Sequence, residues 1–298
     1  MEAHRSARPP APDRGMGRAV RKWVEAAFQR LADRYVAVRS FAPPALDRLA
    51  GARIVSHRGE HDNRSVFENT LAAFDRAQRA GAWGFELDLR WTADLQPVVF
   101  HDPDLGRMAG VSHRLANLRL AEARSFFPPL ATLAEVVARY GGRRHLMIEV
   151  KAETYRQFHV QTAILATTLA PLRPADDYHL LSLDPHMFAY LGFAPRRALL
   201  PIAWADVKTA SRLALTRGYG GVCGHFLLLG DRTMARHQRR GQQVGCGMVN
   251  SARGLYREIH RGTDWIFSDR AATLATACRE DHHGLADVED AFKSRGAA

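Results

Sequence analysis

The sequence GFELDL at residues 84–89 is followed by PVVFHD at residues 97–102, and these two stretches decide the fold. Each is a short apolar run with ionisable side chains at its end, the pattern of a barrel strand that displays its chemistry at the carboxyl end. Glu86 and Asp88 stand two positions apart, so on a strand both side chains point to the same face. We therefore predict a strand whose end presents two carboxylates together.

Short apolar runs alternate with amphipathic stretches from residue 52 onward. Strands that alternate with helices are typical of a parallel sheet with helical crossovers. At this length an α/β fold closed into a (β/α)₈ TIM barrel is favoured over an open doubly wound sheet. The strand candidates are residues 53–56, 84–89, 98–100, 145–150, 178–183, 198–202, 220–223, 244–249 and 265–267, and the helical candidates are residues 70–80, 132–140, 158–169, 185–191, 206–216, 231–239, 252–261 and 271–279.

Two details do not fit a plain eight-fold repeat. Nine strand candidates are one too many for the ring, so one of them must lie outside it. The link from Asp88 to Val98 is too short for a crossover helix, and we predict an extended, helix-free return that turns at residues 94–97. Residues 102–130 are weakly patterned and form a predicted small insertion after the third strand, where long loops often cap a site.

The composition bounds the class of protein. With 298 residues and 46% hydrophobic content the chain can build one sizeable core. We assign residues 1–50 to a leader and helix, 51–280 to the barrel domain and 281–298 to a polar tail.

The net charge of +11 suits anionic partners. No nucleic-acid partner is predicted, because the sequence has no recognition helix, zinc finger or aromatic sheet motif. Three cysteines without metal-site spacing predict a reducing compartment, the cytoplasm.

The first fifty residues carry a separate signal. Residues 1–17 are polar and lack the apolar core of a secretory signal, and no window of the chain is long and apolar enough to span a membrane. Residues 18–39 form a predicted amphipathic helix, with Trp23, Phe28 and Leu31 on one stripe and several arginines around it. Such a helix either makes peripheral contact with a membrane or packs against the barrel, and the sequence leaves both alternatives open.

A cation site is predicted at the strand ends. Glu86 and Asp88 offer oxygen ligands for a hard divalent cation, and Glu149, at the end of a later strand, can supply a third oxygen. Lys151 stands two residues further on, so it shares the face of Glu149 and can oppose a phosphate charge or pair with the carboxylates.

Two histidines complete a set that is suited to cleaving a phosphodiester. Such cleavage requires one group that takes a proton from the nucleophile and another that gives a proton to the leaving oxygen. Histidine suits both tasks because its ordinary pKa is about 6.5. His57 and His101, each at a strand end, are the candidates, and Arg58 offers a planar fork for phosphate.

These residues resemble the signature of the glycerophosphodiester phosphodiesterases over about residues 53–275. The resemblance is most specific at the start of this span and more diffuse in its second half. It is carried by His57-Arg58-Gly59, Glu68-Asn69-Thr70-Leu71 with Ala72-Ala73-Phe74, Gly84-Phe85-Glu86-Leu87-Asp88, Pro97-Val98-Val99-Phe100-His101-Asp102, Ile148-Glu149-Val150-Lys151 and residues 263–270.

The resemblance implies a TIM barrel with an insertion after the His-Asp motif. It implies a general acid/base pair at His57 and His101, ligands for Ca²⁺ or Mg²⁺ at Glu86, Asp88 and Glu149, and phosphate contacts from Arg58 and Lys151. The implied reaction cleaves a glycerophosphodiester to sn-glycerol 3-phosphate and an alcohol, through a cyclic phosphate.

Three departures from the family pattern concern the substrate rather than the chemistry. Phe67 replaces the usual Pro before Glu-Asn-Thr, and Arg107-Met108-Ala109 stands in place of Arg-Thr-Thr. Residues 247–250 read Gly-Met-Val-Asn, so the family's Trp beside the glycerol is missing. Two alternatives therefore stay open beside the leading hypothesis: a lysophospholipase D-like activity on lysophospholipids, and a non-catalytic module that binds anionic head groups.

Overall fold

The computed structural model describes Val36 and residues 41–279, and its central feature is a β-sheet that closes on itself. Short runs of apolar and β-branched residues form each strand. The strands are β1 (Ile54–His57), β2 (Gly84–Trp91), β3 (Pro97–Val99), β4 (Ala131–Thr132), β5 (His145–Val150), β6 (Tyr178–Ser182), β7 (Leu199–Ala203), β8 (Gly221–His225), β9 (Gln243–Gly247) and β10 (Trp265–Ser268).

Eight of these strands form a closed parallel barrel. The ring runs from β1 to β2, then through β5, β6, β7, β8, β9 and β10, and β10 pairs with β1 to close it. Closure leaves no strand edge within the ring. The predicted TIM barrel is confirmed.

The ninth predicted strand, β3, lies outside the ring, and the link that leads to it is free of helix, as predicted. The direction of this strand differs from the expected parallel alternation. β3 pairs antiparallel with β2, with Leu89 opposite Val99, and β4 pairs antiparallel with β3. An antiparallel neighbour needs only a short turn, which explains why the link after Asp88 holds no helix. His101 therefore follows a hairpin strand rather than the end of a barrel strand.

Helices cover the outside of the barrel and follow most of its strands. The helices are α1 (Leu46–Ala50), α2 (Leu71–Ala80), α3 (Gly106–Ala109), α4 (Leu120–Phe126), α5 (Leu133–Tyr140), α6 (Phe158–Leu169), α7 (Val207–Arg217), α8 (Asp231–Gln238) and α9 (Ala252–His260), with 3₁₀ turns at Leu115–Asn117, Pro185–Tyr190 and Arg196–Ala198 and a further helical stretch at residues 271–279.

The start and end of α2 follow from its sequence. Thr70 caps the helix by accepting a hydrogen bond from the amide of Ala73, and Gly81 ends it in the left-handed region at a φ of 90°. This fixes the segment that follows the His57 motif against the outer face of the barrel.

The barrel interior and the segment between β3 and β4 each contain an apolar cluster. The barrel interior is filled by Val55, Met147, Leu181, Leu200, Cys223, Trp265 and Phe267. Met147 stands two residues before Glu149 and faces the same way, so the interior core lies directly beneath the polar strand ends. Residues between β3 and β4 contain α3 and α4 and pack on a small core of their own, which includes Phe100 and Leu115.

Most of the predicted N-terminal leader and helix, and the predicted tail after residue 280, lie outside the described residues. Of the predicted helix at 18–39 only Val36 is described, and it is buried in the main core of the barrel. His260 Nε2 donates a hydrogen bond to the Ala42 carbonyl at 2.9 Å, and this bond joins the segment before α1 to the end of α9. Within the described ranges, no helix is both long and apolar enough to cross a membrane.

Candidate active site

The barrel brings together the acidic residues predicted from the sequence. His57 ends β1 and lies in register with Glu86 on β2, and Asp88 lies in register with Glu149 on β5. Because these strands are parallel neighbours, their carboxyl ends meet at one mouth of the barrel. Lys151 follows β5 there, and Arg58 follows β1.

The acidic cluster consists of Glu86, Asp88 and Glu149. One ligand oxygen from each lies within 4.8 Å of the others, and all three side chains are buried. Glu86 Oε2 finds no hydrogen-bond partner among the residues the structure describes. Burial, together with the charge of Asp88, raises the pKa of Glu86 to about 8. A buried carboxylate oxygen without a donor suits a cation, so this oxygen-only cluster could hold a metal ion.

Two cations and an amide surround Asp88. Lys151 Nζ lies 2.6 Å from Asp88 Oδ1 and 2.8 Å from Glu149 Oε1, and Arg58 Nε lies 3.0 Å from Asp88 Oδ2. Asn69 Nδ2 donates to Asp88 Oδ2 at 2.7 Å. Burial opposes ionisation of Asp88, but Arg58 and Lys151 outweigh it and hold the pKa of this carboxyl well below its usual range. Asp88 is therefore ionised at neutral pH.

His57 is oriented by a carboxylate from the last barrel strand. His57 Nδ1 donates to Asp269 Oδ1 at 2.7 Å, and Nε2 lies 3.7 Å from Glu86 Oε2. Burial and the charge of Arg58 act to lower the pKa of His57, but Glu86 and Asp269 outweigh them and the pKa is raised. The hydrogen bond at Nδ1 leaves Nε2 as the nitrogen that faces the acidic cluster.

His101 is oriented in the same way by its neighbour in sequence. His101 Nδ1 donates to Asp102 Oδ1 at 2.8 Å. Burial lowers the pKa of His101 below its ordinary value, because the negative charges of Asp88 and Asp102 offset it only in part. The two histidines therefore differ, because the pKa of His57 lies above its ordinary value and the pKa of His101 lies below it.

The turn after β1 has a backbone that few side chains adopt. Arg58 has a φ of 58° and Asn69 has a φ of 59°. The backbone N–H of Asn69 donates to the Arg58 carbonyl at 2.9 Å. Gly59 also has a positive φ, and a Cβ at this position would lie 2.7 Å from Ala73. This strained turn points both polar side chains at Asp88.

Sequence reasoning missed the partners that hold these side chains. Asp269 and Asn250 were given no role, although each follows a barrel strand, the signal that pointed to the acidic cluster. Asn250 Nδ2 donates to Asp269 Oδ2 at 3.2 Å, and Asn250 Oδ1 accepts from the Asp269 amide at 3.0 Å. Glu68 and Arg107 were quoted only within motifs, and the structure links them by two hydrogen bonds.

Exposed apolar side chains stand on one side of the same mouth. Leu183 directly follows β6, Trp204 directly follows β7, and Leu228 lies in the loop after β8. Phe158 begins α6, after β5. Of the six large hydrophobic residues exposed in the described part of the chain, these four lie at the carboxyl ends of adjoining strands, with exposures from 41% to 52%. We call Phe158, Leu183, Trp204 and Leu228 the apolar rim.

A family model matches the first half of the barrel, and curated relatives match shorter stretches of the chain. Residues 57–182 match the model described as the glycerophosphoryl diester phosphodiesterase family. The chain is similar to glycerophosphodiester phosphodiesterase 1 of Bos taurus, with 43% identity over 75 residues, 25% of this chain and 22% of the relative. It is 48% identical over 71 residues to a glycerophosphodiester phosphodiesterase of Caldanaerobacter subterraneus, covering 24% of this chain and 28% of the relative.

A relative named for a different activity matches over a similar length. The chain is 41% identical over 68 residues to lysophospholipase D GDPD1 of Homo sapiens, covering 23% of this chain and 21% of the relative. In each of these three matches the chain spans less than a third of the length of the relative.

Solved structures share the fold across the barrel. A glycerophosphodiester phosphodiesterase from Thermotoga maritima superposes with a TM-score of 0.64 at 20% identity, covering 76% of this chain and 98% of that one. An Oleispira antarctica phosphodiesterase in complex with the product sn-glycerol-3-phosphate superposes with a TM-score of 0.62 at 20% identity, covering 76% and 96%. At these identities the likeness shows the fold.

Proposed function

Because the chain belongs to the glycerophosphodiester phosphodiesterase family, we propose that it hydrolyses glycerophosphodiesters to sn-glycerol 3-phosphate and an alcohol. One observation carries the proposal. Two histidines at the mouth of the barrel are each held at Nδ1 by a carboxylate, which leaves each Nε2 for a substrate beside a buried acidic cluster. The product named in the Oleispira antarctica complex supports the same chemistry.

The two histidines divide the proton transfers. His101 favours its neutral form and takes the proton from the glycerol hydroxyl next to the phosphate, whose oxygen then attacks phosphorus. His57, whose pKa is raised, acts in its protonated form and gives its proton to the departing alcohol as the P–O bond breaks. Water then opens the cyclic phosphate with the two roles reversed, which returns both histidines to their starting states.

The charged side chains of the site bind and orient the phosphate. Arg58 and Lys151 carry positive charge at the acidic cluster, because the charges of Asp88 and other nearby carboxylates raise the pKa of each despite burial. Glu86, Asp88 and Glu149 would hold Ca²⁺ or Mg²⁺, since all three offer hard oxygen ligands. When bound, the cation supplies charge that stabilises the phosphoryl oxygens.

A substrate panel with and without chelator tests this function. Glycerophosphocholine, glycerophosphoethanolamine and glycerophosphoglycerol should each be assayed for release of sn-glycerol 3-phosphate. We expect turnover that chelation abolishes and that Ca²⁺ or Mg²⁺ restores. Absence of turnover on every diester in the presence of either cation would contradict the proposal and favour the alternative of a non-catalytic module that binds anionic head groups.

A second candidate substrate is a lysophospholipid, and the apolar rim is the observation that favours it. An acyl chain on the glycerol must leave the mouth of the barrel, and Trp204 and Leu183 offer apolar surface there. Gly247, which stands where the family has a Trp, ends β9 at the same mouth of the barrel. Adding lysophosphatidylcholine to the panel decides this. A Trp204→Ser variant should lose activity on the lysolipid and keep wild-type activity on glycerophosphocholine. A variant that keeps wild-type activity on both substrates would refute the role of the apolar rim.

A further inference from the structure

A chain of charged hydrogen bonds leads from His101 into the segment between β3 and β4. Asp102 accepts from His101 Nδ1 through Oδ1 at 2.8 Å and from Arg107 Nε through Oδ2 at 2.5 Å. Arg107 lies in the four-residue helix α3. Its two remaining nitrogens both bind Glu68, with Nη1 donating to Oε2 at 2.8 Å and Nη2 donating to Oε1 at 2.6 Å.

Glu68 connects this chain to the other side of the site. It is almost fully buried, and its oxygens also accept from Arg58 Nη1 at 3.1 Å and from Asn63 Nδ2 at 2.9 Å. Arg58 in turn lies 3.0 Å from Asp88 in the acidic cluster. Arg107 is therefore bonded to one side chain that orients His101 and to another that orients Arg58.

The geometry of these bonds requires a guanidinium. Three nitrogens of Arg107 contact oxygens of two carboxylates that belong to different segments of the chain. A lysine carries the same charge on one nitrogen, and it has no planar fork with which to span both carboxylates. Two negative side chains this close to one another would repel without the cation between them. Arg107 therefore fixes the relative position of Glu68 and Asp102 as well as neutralising them.

We propose that Arg107 is a positioning residue for the acid/base pair. Arg107 holds Asp102 against His101 Nδ1, and it links Asp102 to Glu68 and, through Glu68, to Arg58. The inference rests on the proposed function, in which His101 Nε2 accepts the proton of the attacking hydroxyl. Arg107 acts through Asp102 and does not touch the reacting atoms. A consequence is that the segment between β3 and β4 completes the catalytic geometry as well as covering the barrel.

Steady-state kinetics of Arg107→Ala and Arg107→Lys test the proposal. Loss of a side chain that orients a site residue commonly costs ~10- to 100-fold, and we expect a fall of about that size in kcat for Arg107→Ala, with KM on glycerophosphocholine changed less than ~3-fold. Arg107→Lys should stay closer to the alanine variant than to the wild type. Recovery of wild-type kcat by lysine would show that charge alone is sufficient and would overturn the positioning role.

Arg139→Ala is the matched control. Arg139 also forms a forked pair with a carboxylate, through Nε and Nη2 to Asp75 at 3.0 and 2.6 Å, but it joins two outer helices. The Arg139→Ala variant loses a forked ion pair at the surface, and it should keep wild-type kcat. An equal loss of kcat in Arg139→Ala and Arg107→Ala would mean that general destabilisation is the cause, and the proposal would fail.

A second measurement reads the position of His101 without any turnover. In protein labelled with ¹⁵N at histidine, the His101 ring signals are identified by their loss in His101→Asn. We expect wild-type His101 to hold its proton on Nδ1, and Arg107→Ala to show a mixture of the two neutral tautomers. An unchanged Nδ1–H tautomer in Arg107→Ala would overturn the inference. A wild-type protein that hydrolyses no diester would instead refute the proposed function, and the tautomer measurement would still decide the role of Arg107.

Discussion

Replacing Asp269 by Asn should slow turnover without unfolding the protein. Asp269 Oδ1 accepts from His57 Nδ1 at 2.7 Å, and the substitution removes the negative charge from this hydrogen bond. A hydrogen bond to a charged group contributes about 1.5–3 kcal/mol. Because the Asp269 side chain is 41% exposed, solvent screening favours the lower end of that range. A loss of about 1.5 kcal/mol corresponds to a roughly 10-fold fall in kcat.

The same variant should change the pH profile of kcat in one direction. His57 must be protonated to act as the acid, so activity falls as pH rises through its pKa. Asp269 raises the pKa of His57, and its neutral replacement removes that contribution. The alkaline limb of the profile should therefore move to lower pH, while the acid limb, which belongs to His101, stays in place.

Steady-state rates on glycerophosphocholine across the pH range check both expectations. Asp231→Asn is a suitable control, because Asp231 also accepts a charged hydrogen bond, from Arg261 Nε at 2.7 Å, on the surface at the start of α8. The reasoning is refuted if Asp269→Asn keeps wild-type kcat and an unmoved alkaline limb, or if Asp231→Asn shows the same changes.

Three further predictions concern the cation and the N-terminus. Because Glu86 has a pKa of about 8, Ca²⁺ binding at pH 7 should release protons and tighten as pH rises toward 8; calorimetry in buffers of different ionisation enthalpy measures this, and binding without proton release would contradict it. Glu86→Gln should weaken Ca²⁺ binding at least ~10-fold by calorimetry, and unchanged affinity would place the cation elsewhere. Deleting residues 1–35, which keeps the buried Val36, should leave activity on glycerophosphocholine unchanged and lower activity on lysolipid in anionic vesicles if the predicted helix binds membrane. Aggregation of that truncated protein would instead support packing of the helix on the barrel.

The acidic cluster could be predicted because it depends on local periodicity. Side chains two residues apart on a strand lie on the same face, so Glu86 and Asp88 were expected to point in the same direction. The carboxyl ends of parallel strands lie at one edge of the sheet, so Glu149 was expected to lie near them. The alternation of strands and helices likewise predicted the barrel. These features follow from spacing along the chain, which the sequence displays directly.

The hairpin and the partners of the histidines could not be predicted in the same way. The direction of β3 depends on which edge of β2 is left open, and an apolar run of three residues does not carry that information. The bond between His57 and Asp269 joins positions 212 residues apart. Arg107 reaches Glu68 only because α3 folds back over the turn after β1. Such contacts are set by closure of the ring and by loop packing.

Release of sn-glycerol 3-phosphate from glycerophosphocholine by His57→Ala and His101→Ala, in the presence of Ca²⁺, tests the central claim most directly. Each variant removes one proton-transfer partner, an effect commonly worth ~10²–10⁴-fold. The account predicts that both variants stay folded, with wild-type melting temperatures to within a few degrees, and lose activity by about that factor. Near-wild-type turnover in either folded variant would contradict the assignment of His57 and His101 as the acid/base pair.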